Sequence, residues 1–135
     1  MDNGAKEMKQ VIPLEHDEQV VVIKYCDLNK IPVFAIPNGS NKSRTAQKNF
    51  KAEGLRPGVP DIMIPVPSKK YHGLFVEMKR VKGSVTSKEQ VEWIALLNKQ
   101  GYKAVICKGA AVAISEIEDY FKEETGLHEN QGVLF

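Results

Sequence analysis

Gly58-Val59-Pro60-Asp61-Ile62-Met63-Ile64 and, beyond a Pro67-Ser68-Lys69-Lys70 turn, Gly73-Leu74-Phe75-Val76-Glu77-Met78-Lys79-Arg80 are the two stretches whose reading decides the fold. Each is a short apolar run bounded by turn residues, which predicts strands over 61–65 and 73–80 paired as a hairpin. Side chains alternate faces along a strand, so Glu77 and Lys79 project together while Val76 and Met78 project to the opposite face. If the two strands are neighbours, Asp61 lies beside Glu77 although sixteen positions separate them in the chain. The result is a pocket with two carboxylates and one ammonium.

Carboxylate oxygens suit hard divalent ions such as magnesium, which keep several waters and accept phosphate oxygens in the remaining positions. The chemistry this implies is phosphodiester hydrolysis: the ion polarises the phosphoryl group and acidifies a bound water, and Lys79 holds that water or offsets transition-state charge. Taken alone, an aspartate followed by Glu-x-Lys is a weak motif, because many such triplets are solvated strand faces.

The surroundings are more specific. The segments 58–67 and 71–80, together with Ser87-Lys88-Glu89-Gln90-Val91-Glu92-Trp93 and Gln100-Gly101-Tyr102, closely resemble the VRR-NUC family over about 14–121. That family belongs to the PD-(D/E)xK nuclease superfamily and includes small phage-encoded proteins and the nuclease module of the Fanconi-associated nuclease. The resemblance implies a restriction-endonuclease-like core and a magnesium or manganese cofactor. It implies metal ligation by Asp61, Glu77, the Met78 backbone carbonyl and Glu15, with Lys79 as the catalytic lysine and Gln90 as a helper near the lysine or the scissile phosphate. Glu15 is chosen within Glu15-His16-Asp17-Glu18-Gln19 because the family pattern resembles a glutamate followed four residues later by glutamine; Glu18 is the reserve. Gln90 also reads simply as a helix-start residue.

Working outward, Pro13 precedes a helix expected over 14–28, although Val20-Val21-Val22-Ile23 favours a strand on local propensity. A short strand over 33–36 ends at Pro37-Asn38-Gly39. The segment 43–53 reads as a helix with Arg44, Lys48 and Lys51 on one face. Together with Lys42 these four basic residues, in a stretch from 38 to 52 without an acid, form a candidate phosphate-facing stripe; a solvated helix face is the plainer reading. Lys69 and Lys70 either reach a backbone phosphate or keep their turn soluble. Overlapping capping boxes, Thr86 with Glu89 or Ser87 with Gln90, start a helix running to Gln100, where Gly101 stops it. Val91, Ile94, Leu97 and Trp93 supply its apolar side. A strand over 102–108 and a helix over 111–124 complete the series, which specifies an α/β domain with a central mixed sheet flanked by helices.

With 135 residues, 42% hydrophobic and 27% charged, the chain fits one domain over 13–124 between tails at 1–12 and 125–135. A net charge of +2 does not announce nucleic-acid binding, so the distribution of charge must carry that reading. Cys26 and Cys107 lack metal-type spacing and read as core, with no disulfide or zinc site expected. Lone His16 and His72 receive no role, and Trp93 and Tyr102 read as core residues. No signal peptide or membrane span is apparent, which places the protein in the cytoplasm, that of the host cell if the protein is phage-encoded.

The expected function is a divalent-metal-dependent DNA endonuclease, with branched DNA, as four-way junctions or flaps, inherited from the resemblance to a family of replication, recombination and repair. Cutting two strands symmetrically favours a homodimer. The competing reading is a non-catalytic module that binds nucleic acid or a replication partner. The terminal Gln131-Gly132-Val133-Leu134-Phe135 resembles a sliding-clamp docking peptide, with Leu134 and Phe135 as apolar anchors and Gln131 setting the register.

Overall fold

The computed structural model describes residues 11–37 and 51–125. Its elements are α1 (Glu15–Leu28), β1 (Phe34–Ala35), β2 (Ile62–Ile64), β3 (Leu74–Lys79), α2 (Lys88–Lys99), β4 (Lys103–Lys108) and α3 (Ala110–Thr125). The strands form one mixed sheet in the order β1-β2-β3-β4. β1, β2 and β3 are antiparallel neighbours, and β3 and β4 run parallel. The parallel pair needs a crossover, and α2 supplies it.

The alternation expected of β3 sorts the core into two layers. Leu74, Val76 and Met78 join Ile62, Ile64 and Cys107 in a cluster closed by Val22 and Cys26 of α1 and Ala113, Ile117 and Tyr120 of α3. Phe75 faces the other way and packs with Leu97 and Ala104, flanked by Met63, Trp93, Ile94 and Tyr102. Helices α1 and α3 therefore cover one face, and α2 covers the other. Trp93 and Tyr102 are half-buried core residues, as their surroundings suggested. Cys26 and Cys107 are both buried, and burial pushes their thiols up to about 11 and about 12.

The β-branched run in α1 is helical despite its local preference. Val22 and Cys26, one turn apart, are completely buried, while Val20 and Val21 remain 37% and 49% exposed. Tertiary burial of one helical stripe outweighs a propensity difference of a few tenths of a kcal/mol per residue, roughly. Glu15, Asp17 and Glu18 in the first turn also complement the helix dipole.

Helix α2 begins with the Ser87–Gln90 member of the two capping boxes: the Ser87 hydroxyl accepts from the Gln90 N–H at 3.1 Å, and the Gln90 side chain accepts from the Ser87 N–H at 2.9 Å. One expectation for this helix is corrected. Val91 does not line the apolar side; it is 54% exposed. The inward face is centred on Gln90 and Leu97, with Trp93 and Ile94 beside them, and at 100° per residue Val91 lies about 110° around the helix from that centre. A polar residue occupies the inward position that an apolar one was expected to hold.

Most of the expected basic helix, with Arg44 and Lys48, lies outside the described residues, as do Lys42 ahead of it and Gln131, Leu134 and Phe135 of the terminal peptide. Residues 51 and 52 are helical, with Lys51 exposed, and Gly54 follows at a φ of 102°. Among the described residues no helix is long and apolar enough to cross a membrane.

Candidate metal centre and the lysine beside it

Residue Ile62 pairs with Val76, and one step further along the same antiparallel ladder Asp61 stands opposite Glu77. The hairpin therefore brings the two carboxylates together as the strand reading required. Asp61 precedes the first residue of β2, where its backbone carbonyl accepts from Ile36 at 2.7 Å, and its side-chain Oδ2 accepts from the Met78 N–H at 2.8 Å. That hydrogen bond fixes the Asp61 side chain across the hairpin. Glu15 comes from the first residue of α1. Carboxylate oxygens of Glu15, Asp61 and Glu77 all lie within 4.8 Å of one another. Glu18 is elsewhere: its carboxylate accepts from the Ala110 N–H at the start of α3. Of the two glutamates, it is Glu15 whose carboxylate stands beside Asp61 and Glu77.

Burial makes this cluster electrostatically costly. Asp61 is 9% exposed and Glu77 is 2% exposed. Desolvation first, and then the Asp61 charge, push the Glu77 carboxyl up to about 8, against the lowering influence of Lys79. Asp61 is also raised, chiefly by desolvation, with the Met78 hydrogen bond opposing. Glu77 Oε2 is buried and has no hydrogen-bond partner among the described residues. A buried acceptor left unpaired beside two further carboxylates is the arrangement a hard divalent cation satisfies, because it supplies the missing positive charge and takes oxygen donors. The donor set fits such an ion.

The ammonium of Lys79 is 3.8 Å from Glu77 Oε1. It donates to the Val85 carbonyl at 3.1 Å and to Gln90 Oε1 at 2.7 Å. Gln90 in turn donates through Nε2 to Glu77 Oε1 at 2.8 Å. One side chain thus holds the lysine and a carboxylate in a common geometry while also capping α2, so the helix-start reading and the helper reading of Gln90 describe the same residue. Gly58 secures this corner. At a φ of +87° it packs under α2 so closely that an added Cβ would stand 2.5 Å from the Glu89 carbonyl carbon and 2.7 Å from the Gln90 nitrogen.

Some sequence candidates stay apart from the centre. Lys69 and Lys70 sit on the exposed turn that joins β2 to β3. Glu77 is three residues along β3 from the Leu74 end of that turn, about 10 Å of strand. Met78 contributes its backbone N–H to Asp61 at 2.8 Å. His16 is exposed, and His72 lies edge-on to Tyr102 under Gly101. Three contributors escaped the sequence reading: the Val85 carbonyl, which carries no side-chain signal; Gly58, whose position in the Gly-Val-Pro-Asp stretch was the available hint; and the Glu18 contact to α3.

The VRR-NUC domain model matches residues 12–111, about three-quarters of the chain. A solved structure of a VRR_NUC domain protein superimposes with a TM-score of 0.73 at 30% sequence identity, covering 84% of this chain and 92% of that one. A comparison with curated proteins finds no match.

Proposed function

The chain belongs to the VRR-NUC family, and from that membership we propose that it is a magnesium- or manganese-dependent endodeoxyribonuclease acting on branched DNA, four-way junctions or flaps, in replication, recombination or repair. The observation that carries the reading is the convergence of Glu15, Asp61 and Glu77 within 4.8 Å, with an unpaired buried oxygen on Glu77 and an anchored lysine alongside.

Glu15, Asp61 and Glu77 would hold the ion, and the Met78 carbonyl is a further ligand by family resemblance. A divalent ion bound there supplies positive charge to a phosphoryl oxygen and lowers the pKa of a bound water. Lys79 uses two of its three N–H donors on Val85 and Gln90. The remaining donor is free to meet a non-bridging phosphate oxygen or the attacking water as charge develops. Gln90 keeps the ammonium and the Glu77 carboxylate in register, so the lysine is already oriented when the substrate arrives.

The preference for branched DNA rests on the family resemblance, and backbone contact is assigned to Lys42, Arg44, Lys48 and Lys51, with Lys69 and Lys70 as further candidates. Paired cuts at a symmetric junction require two sites, for which a homodimer is the economical arrangement. Docking of the terminal Gln131, Leu134 and Phe135 on a sliding clamp belongs to the same picture. Incubating linear, nicked, flap and four-way DNA with magnesium, manganese or chelator tests it: metal-dependent cutting of branched substrates ahead of linear duplex is expected. DNA that is bound but uncut in both metals would return the protein to the binding-module class.

A further inference from the structure

Glu18 follows Glu15 by three residues on α1, nearly one turn, yet points to a different part of the molecule. Its carboxylate accepts from Ala110, the first residue of α3, and lies against Gly109, where an added Cβ would come within 3.1 Å of Glu18 Oε2. Gly109 adopts a φ of +90°, and its N–H donates to the Lys79 carbonyl at 2.9 Å. The Gly109-Ala110 corner is consequently fastened on two sides. One N–H holds the end of β3 at Lys79, and the next holds α1 at Glu18.

Two of the three carboxylates in the centre belong to the β2–β3 hairpin and need no further device to stay together. Glu15 belongs to α1, whose buried anchors are Val22 and Cys26, seven and eleven residues further along the helix. Seven residues of helix amount to about 10 Å, and a small pivot about Val22 would carry Glu15 out of reach of Asp61 and Glu77. The Glu18 contact restrains this overhanging first turn at the end of the strand bearing Glu77 and Lys79, beside the Arg80 side chain, which donates to the Ile12 carbonyl just ahead of α1 at 3.3 Å.

We propose that Glu18 is a positioning residue for the metal centre: by tying α1 to the Gly109-Ala110 corner it sets the place of Glu15 relative to Asp61 and Glu77. This rests on the metal-binding reading above. What Glu18 supplies is an acceptor for one N–H, so a neutral amide of the same shape should serve, whereas truncation should not. Loss of an outer contact that orients a ligand lowers metal affinity by about 10- to 100-fold.

The test is calorimetric titration of Mn2+ into the full chain as wild type, Glu18→Ala, Glu18→Gln and Glu15→Gln, paired with amide hydrogen exchange of each protein in chelator. Glu18→Ala is expected to bind Mn2+ about 10- to 100-fold more weakly and to exchange faster in the first turn of α1, with protection around Val22 retained; Glu18→Gln should restore both. Wild-type affinity and wild-type exchange in Glu18→Ala would overturn the proposal, leaving Glu18 as a helix cap alone. Equal loss in Glu18→Gln and Glu18→Ala would overturn it in favour of a role for the charge itself. If the wild type takes up no Mn2+, the metal reading falls, and the exchange data alone still decide whether Glu18 holds the first turn.

Discussion

Gln90 donates its side-chain amide to Glu77 Oε1 at 2.8 Å while its amide oxygen takes the Lys79 ammonium at 2.7 Å. A residue in the first turn of α2 is thereby the link between a metal-ligand candidate and the lysine, and helix stability and site geometry share one side chain. Substitutions here and in the carboxylates separate those two contributions.

Removing single members of the centre should remove most cleavage and spare the fold. Asp61→Asn, Glu77→Gln and Lys79→Ala are each expected to lower cleavage by about 100-fold or more, the scale of losing a preorganised charge in the transition state. Glu15→Gln should impair it as well. Far-UV circular dichroism and cleavage of a four-way junction measure both effects, and cutting that survives in all four variants would refute the assignment.

Gln90→Ala and Ser87→Ala both break the capping box, and each should cost about 1 kcal/mol of stability in urea. Only Gln90→Ala also frees Lys79 and Glu77. Its cleavage rate should therefore fall well below that of Ser87→Ala at matched stability. Equal rates in the two variants would reduce Gln90 to a cap.

The metal-free protein should lose stability as pH rises. Burial and Asp61 raise the Glu77 carboxyl from its ordinary 4.5 to about 8 in the folded protein. Between those values the folded state retains a proton that the unfolded chain has released. The contribution is complete below about 4.5 and is lost as pH rises towards 8, with a slope of at most about 1.4 kcal/mol per pH unit for one proton. Urea unfolding in chelator at acid, neutral and alkaline pH should show this decline. Glu77→Gln should flatten it, and added Mn2+ should offset it at alkaline pH by binding the folded state. A wild-type stability that increases from pH 5 to 8 in chelator would contradict the crowding described here.

Gly58→Ala should damage stability and activity together. The added methyl meets backbone of Glu89 and Gln90 at 2.5 and 2.7 Å, and the φ of +87° disfavours any side chain. A cost of about 1 to 3 kcal/mol is expected from such overpacking and strain. Gly54, also at positive φ but with open space around it, provides the control: Gly54→Ala should carry the strain without the displacement of Gln90, and cleavage should be affected less.

Neutralising Arg44, Lys48 and Lys51 should weaken DNA binding at low salt and reduce the salt slope by about one unit per lost phosphate contact, with Mn2+ binding intact. An unchanged slope in the triple variant would show that this segment does not meet the backbone.

Much of the architecture was legible because it depends on local periodicity. The strand residues around Glu77, the Ser87–Gln90 start of α2 and the stop at Gly101 follow from alternation, capping and turn chemistry, all of which act over a few residues. The Val91 error has the same origin. Hydrophobic periodicity assumes that inward positions are apolar, and α2 turns a glutamine inward because Glu77 and Lys79 need it there.

What the sequence by itself determined is therefore the alternation that places Glu77 with Lys79, the hairpin that can bring Asp61 to them, and the polar starts and glycine stops of the helices. Only the tertiary structure decided that Glu15 joins the carboxylates while Glu18 caps α3, that Gly58 packs under Gln90, and that the Val85 carbonyl holds the lysine. These depend on contacts between segments many residues apart, several through backbone atoms that every residue possesses. Such contacts are selected by how the layers pack and leave no periodic trace along the chain.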